Sequence, residues 1–203
     1  MKNKFLNYSI NSIRKYYPEY NEEKLELIEY GLEAVYLTVT KLFVIYLVAY
    51  IMGILSEVIL LSVLYNLIRF TAFGLHASKS IYCLIASLII FIGGALLCIF
   101  LNIPILVKVV LSIICIYYLY KYAPADTEKR PIISPKRRKI YKIISTITGI
   151  IFTILIIVFY KHKISNYLLI GMLEAVIMIH PKVYALFKLP YDNYKIYNCG
   201  LSN

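Results

Sequence analysis

A histidine and a cysteine, His76 and Cys83, stand in the stretch Arg69-Phe-Thr-Ala-Phe-Gly74-Leu-His76-Ala-Ser78-Lys-Ser-Ile-Tyr-Cys83, at a polar break between two long apolar runs. An imidazole and a thiol in that setting could act as acid/base and nucleophile: the thiolate attacks a peptide carbonyl, and the imidazolium then protonates the leaving amine. In an unbroken helix the seven-residue spacing would put both side chains on one face but about 10 Å apart along the axis, beyond proton-transfer reach. The helix must therefore break, or begin, between them. Gly74 supplies a flexible point before His76, and Ser78 or Ser80 can cap a helix that places Cys83 in its first turn or just beyond. Free N–H groups of that turn could stabilise an oxyanion. No third, orienting group is singled out, although Asn66 is close in sequence and Asp126 falls on the same side of the membrane. A histidine beside a membrane helix is more often a structural hydrogen-bonder with a cysteine nearby by chance, so spacing alone leaves both readings open.

What must hold these residues is built for lipid. Of 203 residues 61% are hydrophobic, and mean hydropathy is +0.72. The excess falls in long runs, as spanning helices require and a soluble core does not. The formal net charge of +11 could suit nucleic acid or an anionic lipid surface. The basic residues lie between the apolar runs, where a bilayer would divide them, so the sequence points to membrane lipid and to no nucleic acid. Cys98 and Cys115 fall within spans, and with Cys199 they form no zinc or disulfide spacing. Neither a metal nor another cofactor is expected.

The fold class expected is an all-α integral membrane protein with about six transmembrane helices and an N-terminal amphipathic interfacial helix, organised as one membrane domain over residues 1–203. In residues 1–30, Leu6, Ile10, Ile13 and Tyr17 form a stripe that Lys2, Lys4, Arg14 and Lys15 mostly avoid, as in a helix lying in the interface. A helix packed on the protein itself fits the same pattern. Asn21 is a plausible N-cap ahead of Glu22 and Glu23. Spans are expected near 33–52, 54–70, 81–101, 104–122, 140–160 and 164–180, with 123–139 a basic cytoplasmic loop. If the N-terminus is cytoplasmic, that side receives five Lys and Arg from residues 1–30, then Arg69 and Lys79, then eight from 121–142 and three from the tail. The other side receives Lys161 and Lys163. The positive-inside rule thus favours a multi-pass chain with both termini cytoplasmic, and puts His76 and Cys83 on the reducing side.

Arg69-x-x-x-x-Gly74-x-His76-Ala77-x-x-x-x-x-Cys83 resembles the signature of the accessory gene regulator protein B (AgrB) family. Tyr122-Ala-Pro-Ala-Asp-Thr-Glu-Lys-Arg-Pro131 resembles that family's second conserved stretch, followed by the expected basic cluster, and the order of spans also matches. The resemblance implies a cell-membrane endopeptidase of a Gram-positive bacterium, acting on a small propeptide of the AgrD type. It implies that Cys83 is the nucleophile and His76 its acid/base partner. The propeptide's C-terminal tail is removed, an acyl-enzyme forms on the cysteine, and an internal thiol or hydroxyl closes a thiolactone or lactone autoinducing peptide used in quorum sensing. One departure is Phe73, where the family often has a second glycine before Gly74.

Arg69, Lys129, Arg130, Lys136, Arg137 and Arg138 are candidates for holding an acidic propeptide tail, although topology and anionic lipid explain the same charges. Asp126 could cap a turn or orient His76. Lys41 and Glu174, near mid-span, are expected to face the bundle interior, since an isolated charge there costs roughly 2.5–3.5 kcal/mol. Lys108 and Glu57 lie nearer an interface and are expected to snorkel. The many tyrosines suit interfacial belts. No Asp falls in a span, and neither His-Glu-x-x-His nor Gly-x-Ser-Gly occurs, which removes aspartyl, zinc and serine peptidase chemistries. A non-catalytic transporter or peptide-export component is the competing function, and a membrane scaffold a third. A homodimer is among the assemblies the sequence leaves open.

Overall fold

The computed structural model describes residues 2–75, 80–127 and 131–195, without the side chains of 80–82. Among them every regular element is helical: α1 Lys2–Tyr16, α2 Glu22–Ile51, α3 Leu55–Ala72, α4 Ser80–Leu88, a π-helical segment Ile89–Gly93, α5 Gly94–Phe100, α6 Ile105–Tyr122, α7 Pro135–Val158, α8 Ile164–Ile179 and α9 Pro181–Leu186. The chain is an all-α membrane protein. Five helices are long and apolar enough to cross a bilayer, the run Cys83–Phe100 counting as one, and α8 is a shorter apolar helix. The later part of the basic run lies in a helix rather than in a loop. Lys136, Arg137, Arg138 and Lys139 form the first turn of α7, which starts with Pro135 at a position where a missing N–H costs nothing. The side chain of Ser134 caps it by accepting from the Arg137 N–H at 3.5 Å.

The chain forms two compact units, residues 1–51 and 52–203. In the first, Asn21 Oδ1 accepts from the Lys24 N–H at 3.0 Å and caps α2. Helix α1 folds back along α2, where Leu6 is buried and Phe5 stacks on Tyr36 at 5.3 Å. Lys2–Glu33 at 2.6 Å and Arg14–Glu22 at 2.8 Å link the two helices.

The second unit is a bundle centred on α8. Eleven of its sixteen residues are buried, which explains a helix apolar all round. Helices α3, α6 and α7 pack around it, and α5 lies against it as well. At 1.5 Å per residue α8 is only about 24 Å long, short of the roughly 30 Å hydrocarbon layer. Lipid is as apolar as leucine, so small residues and internal hydrogen bonds must draw the helices together. Gly149 admits Leu119, and Gly171 admits the α3 backbone at Tyr65. The Ser145 hydroxyl donates to Thr71 at 2.9 Å between α7 and α3. Outward, Ile143, Ile147, Ile150, Ile151 and Ile154 of α7 stay exposed, a face suited to acyl chains.

Polar groups inside the bundle are mostly engaged. Lys108 does not snorkel: it is buried and its ammonium donates to the Ser165 hydroxyl. Asn166 Nδ2 donates to the carbonyls of Cys98 and Leu101. Glu57 is half-buried, with Ser56 donating to it at 2.7 Å. Glu174 turns inward, and its Oε2 is buried without a hydrogen-bond partner among the described residues.

A Cβ added at Gly94, the residue after the π segment, would run into the Glu174 carboxyl and stand 2.7 Å from Leu61 Cδ2, whereas a Cβ at neighbouring Gly93 meets nothing within 4 Å. Gly94→Ala should therefore destabilise the bundle by about 1–3 kcal/mol from overpacking, while Gly93→Ala leaves it unchanged. Thermal unfolding of the two variants in one detergent checks this, and equal melting temperatures would contradict the packing described.

Candidate functional site

The site begins where α3 ends. Tyr65 and Arg69 are one helical turn apart and so share a face. Arg69 Nη1 donates to the Tyr65 hydroxyl at 2.6 Å, and Nη2 donates to the Leu75 carbonyl at 2.7 Å. One guanidinium thus spans the helix end and the residue immediately before His76.

Between those two points the chain reverses. Phe73 has φ 58° and ψ −128°, and Gly74 has φ 118°. Glycine adopts such angles freely. A residue with a Cβ does so at a cost of about 1–3 kcal/mol. The departure noted at Phe73 is therefore a backbone departure as well: the residue takes a glycine-like conformation and anchors it by packing its ring on Tyr141 at 5.1 Å.

The backbone groups released from the helix are then satisfied by two distant segments. The Ala125 N–H donates to the Ala72 carbonyl and the Gly74 N–H to the Ala125 carbonyl, both at 2.9 Å, while the Leu75 N–H donates to the Met178 carbonyl at 3.0 Å. Phe73 and Ala125 form a parallel bridge. The two stretches that resemble the AgrB signatures, one ending α3 and the other following α6, are thus hydrogen-bonded to each other and to the end of α8.

Asp126, the next residue, is almost fully buried, and its carboxylate is fully engaged. Oδ1 accepts from the Asn193 N–H at 3.0 Å; Oδ2 accepts from the Tyr194 N–H at 3.0 Å, the Ile132 N–H at 3.3 Å and Arg138 Nη1 at 3.3 Å. The Arg138 guanidinium lies 3.5 Å over the Tyr194 ring. Tyr184 donates to the Asp126 carbonyl at 3.2 Å, and Tyr191 to the Tyr122 carbonyl at 3.4 Å. Burial pushes both tyrosine hydroxyls up from their ordinary range, so they stay protonated donors. These tail tyrosines are interior struts, not belt residues. Sequence reading missed them together with Asn193. The signal available was the turn-rich Pro190-Tyr-Asp-Asn193, which marks a chain folding back.

On the other side of the junction α4 starts at Ser80, so Cys83 falls in its first turn. The thiol is half-buried and in no disulfide. Cys98 and Cys115 are buried deeper in the helices. His76, Ser78, Lys129 and Arg130 lie outside the described residues. Of the remaining basic candidates, Arg69 and Arg138 are taken up by the contacts above, whereas Lys136 and Arg137 are exposed at the start of α7. Among the described residues no group of three or more His, Cys, Asp or Glu could hold a metal ion.

The family model described as Accessory gene regulator B matches residues 6–179. An AgrB-like protein of Listeria innocua is 33% identical over 179 residues, 87% of each chain, and one of Clostridium acetobutylicum is 30% identical over 174 residues, 85% of this chain and 83% of its own. The accessory gene regulator protein B of Staphylococcus aureus is 31% identical over 156 residues, 76% of this chain and 80% of its own. No solved structure matches the chain.

Two substitutions probe the junction. A Cβ at Gly74 would stand 2.9 Å from the Met178 carbonyl oxygen, so Gly74→Ala should break the Leu75–Met178 hydrogen bond and speed hydrogen exchange at Leu75. Asp126→Ala leaves Arg138 without its partner and should cost about 3–5 kcal/mol. Exchange at the Asn193 and Tyr194 amides should rise with it; protected amides there would contradict the role given to Asp126.

Proposed function

Because the chain belongs to the accessory gene regulator B family, we propose that it is a multi-pass membrane cysteine endopeptidase of the agr quorum-sensing system, which removes the C-terminal tail of a small AgrD-type propeptide and promotes its cyclisation. The observation that carries this reading is the pinned junction. Leu75, the residue before His76, is held by Arg69 and Met178; five residues later α4 begins, with Cys83 in its first turn.

In this reading the imidazolium of His76 and the thiolate of Cys83 are the resting pair. The sulfur attacks the scissile carbonyl, and the positive end of the α4 dipole faces the developing oxyanion. As the C–N bond breaks, His76 gives its proton to the leaving amine, and the peptide remains as a thioester on Cys83. An internal thiol or hydroxyl of the peptide then attacks that carbonyl and passes its proton to His76. The new C–S or C–O bond forms while the bond to Cys83 Sγ breaks, which restores the resting pair and closes the ring. No water enters the second step, so a site shielded by lipid favours ring closure over hydrolysis.

Both termini and the α3–α4 junction lie on the cytoplasmic side by the distribution of Lys and Arg. Lys136 and Arg137, exposed at the start of α7, meet the acidic tail, and Lys129 and Arg130 are assigned to the same role by their charge. Gly74 turns the chain, Ser78 is assigned a structural role beside it, and Asp126 fixes the neighbouring loop.

Processing of a co-expressed, epitope-tagged AgrD-type propeptide in membranes tests the assignment. Cys83→Ala, Cys83→Ser and His76→Ala should each lower cleavage by at least about a hundredfold, at normal membrane levels of the protein. Wild-type cleavage by Cys83→Ala or His76→Ala would refute it and favour a transport role.

A further inference from the structure

Two polar groups in the bundle interior are left half-used. The Tyr65 hydroxyl accepts from Arg69, so its own O–H points away from the guanidinium. Among the described residues that O–H reaches no acceptor, although the side chain is only 6% exposed. On α8, Glu174 Oε2 is buried and, among the described residues, receives no donor. Tyr65 is within electrostatic reach of both Glu174 and Cys83. An open donor and an open acceptor in an apolar bundle are costly, and each asks for a partner.

Neither group is loosely held. Arg69 fixes the Tyr65 oxygen, and the Tyr65 ring packs edge-on against Phe91 at 5.3 Å. Phe91 belongs to the π segment of the same helical run that carries Cys83, and such segments are frequent at functional sites. The Glu174 carboxyl is pressed against Gly94, where the absence of a side chain makes its room. Both groups are therefore in place before any ligand arrives.

A carbonyl oxygen and an N–H, offered together in an apolar setting, are what a peptide backbone presents. Backbone groups entering a bilayer must be satisfied by protein. We propose, on the peptidase reading above, that Tyr65 and Glu174 form a substrate subsite inside the membrane, Tyr65 donating to a backbone carbonyl and Glu174 accepting from a backbone N–H of the peptide that acylates Cys83. Gly94, which packs on Glu174, follows Cys83 by eleven residues. That is about 16 Å of helix, or roughly five residues of extended peptide. The ligand is thus a short extended segment running from the scissile bond into the bundle.

The test is cleavage of a tagged AgrD-type propeptide by full-length protein in liposomes, with kcat and KM measured separately and alkylation of Cys83 by iodoacetamide followed in parallel. Tyr65→Phe and Glu174→Leu should each lower kcat/KM about tenfold or more. Glu174→Gln, which keeps an acceptor, should recover most of the loss. A small alkylating reagent needs no subsite, so Cys83 alkylation should stay at the wild-type rate in all three. Unchanged kcat and KM in Tyr65→Phe would overturn the subsite, as would Gln behaving no better than Leu at position 174. So would alkylation falling in step with cleavage, which marks a general loss of structure. These outcomes are distinct from failure of the peptidase reading itself, which shows as no cleavage by the wild type or as cleavage by Cys83→Ala.

Discussion

The constraint on which the site depends is that peptide groups leaving a helix at membrane depth must find hydrogen bonds in the protein. Helix α3 ends with its last carbonyls and the next N–H groups released. The solution is a small patch of sheet-like pairing, with Ala72 and Gly74 bonded to Ala125 and Leu75 bonded to Met178. Everything nearby follows from that solution. The chain must reverse at Phe73 and Gly74 to present those groups, the segment after α6 must lie parallel to it, and the end of α8 must come close. Two stretches just over fifty residues apart become one structure.

The support behind that patch is electrostatic. Asp126 gathers one arginine and three backbone amides in a setting too dry to leave a carboxylate unpaired. In doing so it joins the loop after α6, the first turn of α7 and the tail beyond α9. A lone charge there would be expensive. A fully bonded one is a rigid crosslink between segments that share no regular element.

Much of this was legible in the sequence. The apolar runs gave the all-α membrane class, because hydropathy measures the same free energy that places a helix in lipid. Asn21 was recognisable as a cap, since N-caps act locally. What was not legible is what depends on contact between distant segments. Asp126 reads as a turn-former until Asn193 and Tyr194 are brought to it. Lys108 reads as a snorkelling residue until Ser165 faces it. Tyr65 is one of many tyrosines until Arg69 and Phe91 fix its hydroxyl. The glycine-like Phe73 conformation depends on its ring finding Tyr141, a contact no local pattern announces.

The π segment Ile89–Gly93 also sets an angular phase. Inserting one residue's worth of backbone into a helix turns everything on one side of it by about 100° against the other. The stripe through Cys83 on α4 and the stripe through Gly94 and Cys98 on α5 are therefore out of step with what an uninterrupted helix would give. The one wide turn thus acts as a rotary adjustment between the half-buried thiol at one end of this helical run and the close packing around Gly94 at the other.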